Sequence, residues 1–128
     1  MGSSGEVRVR RVQDGAEDGD GTRVLVDRLW PRGVPRERAA IDRWLKDLTP
    51  SDELRSRYHE DRSATRYDAF VERYRAELAG PVQAAAVDEL AGLVRAGGPV
   101  TLVTAVKDVE HSHVPVLADH LEHQLRHR

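Results

Sequence analysis

Valines at positions 7, 9 and 12 alternate with charged residues in the segment Glu6 to Val12 (EVRVRRV), a period near two that predicts a strand with one wet face. Gln13 to Thr22 (QDGAEDGDGT) is almost free of apolar residues and rich in Asp-Gly turn signals, so it reads as a loop. A hairpin would join the first two strands through it, although the loop is long for one. Arg23 to Leu29 is the second expected strand, with Val24 and Val26 on one face and Leu25 on the other. Apolar residues on both faces point to a central strand covered on both sides, as in α/β folds.

Ala39 to Leu48 is ambiguous. Ile41, Trp44, Leu45 and Leu48 fit a helical stripe, yet the piece is short and lies between Pro35 and Pro50, so helix and short strand both stay open. Ser51 is the expected N-cap of a following helix, with Asp52 and Glu53 in its first turn and Leu54 as its first apolar contact. Tyr67, Phe70, Val71, Tyr74 and Leu78 form one helical stripe, stopped by Gly80-Pro81. Val87, Leu90, Ala91 and Val94 form another, ended by Gly97-Gly98-Pro99. Val100 to Val106 is β-branched and apolar on both faces, the best buried strand in the chain. Lys107 to Ser112 reads as a turn, and His113 to Leu125 as a last helix. Strand, helices, strand, helix is the order of a small three-layer α/β domain, a mainly parallel central sheet flanked by helices.

The 128 residues suit one domain, taken as 6–128 after a disordered end at 1–5. Hydrophobic residues make up 39% and charged ones 33%, with no apolar run near the length a membrane span needs. Cysteine is absent, which removes disulfides and thiolate nucleophiles and fits a reducing cytoplasm. A net charge of −2 gives no global basic field, so a basic site has to be local.

Both buried-looking strands end in polar clusters. One ends in Asp27, Arg28, Trp30, Arg32 and Gly33; the other in Lys107, Asp108, Glu110, His111 and His113. In open parallel sheets ligands collect beyond the carboxyl ends of strands, where helix N-termini and loop amides converge. If the two strands are parallel neighbours, these clusters face each other. Each residue also has a plainer reading. Asp27 and Arg28 make sense as an ion pair, Trp30 as core, Gly33 as turn, Lys107 as surface, His113 as a packed imidazole. Arg32 in a rigid Pro-Arg-Gly turn suits bidentate contact with phosphate or carboxylate. His113 titrates near neutrality and is the candidate acid or base, with Asp108 or Asp27 as its tuning partner. Asp108, His111 and His113, or His120, His123 and His127, have the chemistry of metal ligands, but neither set has a zinc signature, and no metal or cofactor is expected.

The segments RVLVDRLWPRG (Arg23 to Gly33), TPSDELR (Thr49 to Arg55), FVERYRAEL (Phe70 to Leu78) and TLVTAVKDVEHSHVPVLADHL (Thr101 to Leu121) resemble the YeaO-like branch of domain of unknown function 488, in order from Val7 to Leu125. The resemblance implies an α/β domain with a mainly parallel sheet and no settled activity, and favours a strand around Ala40 to Trp44. It carries Asp27, Arg28, Trp30, Pro31, Arg32 and Gly33 onto the family's first motif, Tyr74 and Glu77 onto its middle motif, and Lys107 and His113 onto its last. The wider family's Cys-His-Arg triplet corresponds to Ser112-His113-Val114, and its strand cysteine to Thr104, so thiol chemistry is not implied for this chain.

The expected function is that of an enzyme acting on, or a binder of, a small phosphate- or carboxylate-bearing anion at the carboxyl ends of the strands. Arg28, Arg32 and Lys107 would hold the charge, Trp30, Gly33 and Asp108 would shape the site, and His113 with Asp27 would move a proton. Two other classes stay open: a homodimer-forming interaction protein, using the Tyr67 to Leu78 helix or the last helix, and a nucleic-acid-binding module built on Arg8, Arg10, Arg11 and the Arg28 to Arg38 group. The near-neutral charge weighs against the last.

Overall fold

The computed structural model describes residues 6–60 and 64–126. The expected disordered end at 1–5 lies outside the described residues, as does His127. Four strands form one sheet in the order β1-β4-β2-β3: β1 is Val7–Arg11, β2 Thr22–Leu25, β3 Arg43–Trp44 and β4 Val100–Thr104. Every pairing is parallel, so the α/β expectation holds. β4 sits between β1 and β2, pairing Val7 with Val100 on one side and Thr22 with Val100 on the other. The hairpin therefore does not form. The long polar loop instead carries the chain from the end of β1 back to the start of β2, as a parallel arrangement requires.

Gly21 shows how tightly that return packs. Its φ is +66°, and a Cβ there would lie 2.1 Å from the carbonyl oxygen of Pro99, so only glycine lets β2 begin beside β4. β2 is shorter than the expected Arg23 to Leu29. After Leu25 the ladder continues for one bond, from Val26 N–H to Val103 O at 3.0 Å. The side chain of Asp27 then takes the next amide, that of Ala105, at 2.7 Å. A carboxylate has replaced a backbone carbonyl, and the main chain is free to turn away.

The described residues form five helices, α1 Arg36–Ala39, α2 Asp52–Glu60, α3 Ala64–Leu78, α4 Pro81–Arg95 and α5 Val114–Arg126; α2 to α5 follow the expected pattern, and α1 is an addition to it. The ambiguous segment resolves into α1, the two-residue β3 and a 3-10 turn over Lys46–Leu48. Ser51 caps α2 through its Oγ, which accepts the Leu54 amide at 3.2 Å. Glu77 accepts from both the amide and the hydroxyl of Ser51, tying the start of α2 to α3.

α2 to α5 pack on one face of the sheet. Leu54, Phe70, Tyr74, Leu90, Val94 and Leu117 meet Val24, Val26, Val100 and Leu102 there in one continuous core. Alternation along the strands sends Val103 to the other face, where a smaller cluster of Val12, Ala39 and Val103 is covered by α1 and loops, with Trp30 and Ile41 against it. Each fully buried Leu or Val contributes roughly 1.5–3 kcal/mol. Among the described residues no helix is long and apolar enough to cross a membrane.

Candidate functional site

The carboxyl ends of β2 and β4 are stapled together by Asp27. Its Oδ1 accepts from the hydroxyl of Thr104 at 2.6 Å and its Oδ2 from the amide of Ala105 at 2.7 Å. The indole of Trp44 donates to the backbone carbonyl of the same residue at 2.7 Å. Charge-assisted bonds of this kind are stronger than neutral ones, and here they fix where the two chain segments part.

His113 enters this corner from the position just before α5, its carbonyl accepting the Leu117 amide at 2.9 Å. Ser112 caps that helix, with Oγ accepting the Val114 amide at 3.1 Å and donating to Val109 O at 2.7 Å. The imidazole is only 8% exposed. Its Nε2 lies 2.7 Å from the carbonyl oxygen of Val26 and 3.9 Å from Oδ1 of Asp27. A carbonyl only accepts, so the ring proton sits on Nε2. Burial pushes the pKa of His113 down, aided by the Arg55 charge, while the Val26 carbonyl and Asp27 act against that shift. The Tyr74 ring packs edge-on, with centroids 5.9 Å apart. Tyr74 is itself held by a hydrogen bond from its hydroxyl to Leu48 O, and burial raises its pKa.

A cleft of about 480 Å³ opens above these groups. Asp27 and His113 line it, Pro50, Tyr58 and Phe70 form an apolar wall, and Leu29, 72% exposed, stands at its lip. Three cations border it: Arg28, Arg55 and Lys107. Arg28 contacts Asp52 at 3.0 Å and Thr49 Oγ1 at 3.4 Å; Arg55 reaches the same Asp52 oxygen at 3.5 Å. Lys107 is exposed and has no hydrogen bond or ion pair among the described residues. Asp108 faces His111, with its Oδ2 3.0 Å from Nδ1.

Of the residues the sequence singles out, Asp27, Arg28, Lys107, Asp108 and His113 line this one cleft. Trp30, Arg32 and Gly33 do not. Trp30 turns to the opposite face of the sheet, donates to Val34 O at 2.8 Å, meets Trp44 edge-on at 5.7 Å and carries the Arg36 guanidinium 4.4 Å over its ring. Arg32 is exposed, and Gly33 supplies a φ of +76° in the turn. The cause is the early end of β2: beyond Asp27 the chain no longer follows the sheet. Sequence reasoning missed Arg55, although it closes the TPSDELR segment. Among the described residues no group of three His, Asp or Glu side chains gathers at metal-binding range.

An all-parallel α/β domain with a cleft at its strand ends is a broad class. Its membership is narrower. The chain belongs to the inactive DUF488-N3 subclade, whose model matches residues 6–128. The uncharacterized protein YeaO of Escherichia coli K12 is 43% identical over 115 residues, spanning 90% of this chain and 96% of YeaO. Two uncharacterized mycobacterial proteins, Mb3100c of Mycobacterium bovis and Rv3073c of Mycobacterium tuberculosis H37Rv, are each 42% identical over 112 residues, covering 88% of this chain and 90% of theirs. No solved structure matches the chain.

Proposed function

We propose that this YeaO-like protein binds a small organic anion in the cleft, without transforming it. One observation carries the reading: Lys107 borders the cleft beside Arg28 and Arg55, yet has no counter-ion among the described residues. The carboxylates at the cleft are already committed: Asp27 to Thr104 and Ala105, Asp52 to Arg28 and Arg55, and Asp108 to His111. A carboxylate or phosphate supplies the missing charge. The wall of Pro50, Tyr58 and Phe70 takes an apolar body attached to it. Binding rather than catalysis agrees with the subclade's description as inactive.

Titration with phosphate, sulfate, acetate and benzoate, followed through the backbone amide resonances of Lys107 and His113, tests this. Saturable shifts at millimolar anion are expected, weakened about tenfold or more in Lys107→Ala, the loss of one charge-assisted contact. Shifts that do not saturate, or that survive unchanged in Lys107→Ala with Arg55→Ala, would sink the reading.

A further inference from the structure

We propose that His113 selects among anions by accepting a hydrogen bond at Nδ1, so that the fitting ligand carries a hydroxyl or amine donor as well as its negative charge, as a 2-hydroxycarboxylate does. This deepens, and rests on, the anion-binding reading of the cleft.

The argument is one of donors and acceptors. A neutral imidazole has one proton, and the Val26 carbonyl, 2.7 Å from Nε2, claims it. Nδ1 is left as a lone pair. It has no partner among the described residues, and it is not one of the side-chain atoms sealed off from solvent without one. The ring that bears it is more than nine-tenths buried and lines the cleft.

The neighbouring hydroxyls are spent elsewhere. Thr104 donates to Asp27, Ser112 to Val109 O, Tyr74 to Leu48 O and Tyr67 to Ser112 O at 3.1 Å. Asp27 offers only acceptors. Burial favours the neutral ring, which keeps Nδ1 an acceptor. A ligand that fills the cleft without a donor strips water from Nδ1 and returns nothing; one with a donor restores the bond. Sites built on a buried polar group discriminate strongly on this basis.

Mandelate and phenylacetate share a ring and a carboxylate, and only mandelate has the hydroxyl. Both are titrated against the full chain, reading the Lys107 amide and the imidazole nitrogens of His113. Mandelate is expected to bind about tenfold or more tighter, with an upfield movement of the His113 Nδ1 resonance that phenylacetate does not cause. His113→Phe is expected to erase the preference while Lys107-dependent binding persists. The wild-type pair decides alone if that variant does not fold. Equal affinities, or a preference with Nδ1 unmoved, overturn the inference and leave the anion site standing so long as Lys107→Ala weakens both ligands. Absence of any Lys107-dependent binding overturns the anion site and this inference together.

Discussion

The two ends of β2 both carry an acid beside a base, and they treat them in opposite ways. At the amino end, Asp20 and Arg23 are 1% and 3% exposed and meet at 2.5 Å. Arg23 also donates to Ala39 O at 3.0 Å, Asp20 accepts the Glu17 amide at 2.9 Å, and Thr101 donates to Asp20 O at 2.7 Å. At the carboxyl end, Asp27 and His113 stand 3.9 Å apart, Asp27 bonded to Thr104 and Ala105 and His113 through Nε2 to Val26 O. The first pair is sealed under a loop, where Asp20 Oδ1 and Arg23 Nη2 are left without a hydrogen bond. The second leaves an unpartnered nitrogen and an unpaired ammonium facing a hollow. A buried ion pair shut away from solvent speaks of structure, whereas polar atoms left over at an open cleft speak of something that binds.

The largest effect expected from testing this contrast is at the closed end. Arg23→Ala leaves the buried Asp20 carboxylate only the more distant Arg10, 3.9 Å away, as a cation, and is expected to cost about 3 kcal/mol in urea unfolding; a loss below about 1 kcal/mol would show that water or Arg10 makes up the charge. Next comes Asp27→Ala, which strands the Thr104 hydroxyl and the Ala105 amide. About 2–3 kcal/mol is expected by the same measurement, together with weakened protection of the Ala105 amide in hydrogen exchange.

A smaller effect follows from His113. Its folded pKa lies below the unfolded value of about 6.5. Between those two values the unfolded chain holds a proton that the folded one does not. The contribution of this group is therefore complete above about pH 6.5 and is lost as pH falls from there towards the folded value. Unfolding free energies of the wild type and His113→Phe, compared from pH 8 downward, should converge through that window; parallel curves would contradict the shift. The smallest effect on stability is that of Lys107→Ala, expected within about 0.5 kcal/mol even as anion binding falls. A large destabilisation would mean that Lys107 is structural, and would move the open end closer in kind to the closed one.

Much of the fold can be read in the sequence, because period-two and helical stripes report burial directly. Val100 to Thr104, buried throughout, is the central strand its composition suggests. The stripe of Tyr67, Phe70, Tyr74 and Leu78 lies against the core. The site is legible in part, since residues just past a parallel strand have few places to go. Asp27, Lys107 and His113 meet for that reason. Trp30 and Arg32 escape because one side-chain bond, Asp27 to Ala105, ends the strand early, and no local pattern marks such a substitution. Arg55 is hidden for another reason. It lies on α2, whose run Arg55-Ser56-Arg57 has no apolar rhythm, and its approach to the imidazole depends on how that helix crosses the strand ends.

The sheet order has a consequence for synthesis. β1 and β2 are not paired; β4 lies between them and is made more than seventy positions after β2. A nascent chain that has emerged only as far as α4 has the two-residue ladder between β2 and β3 as its strand pairing among the described residues. Such non-local topologies form slowly, since distant segments must meet before any pairing rewards them. The last quarter of the polypeptide is thus the keystone, and collapse to the native sheet awaits its arrival.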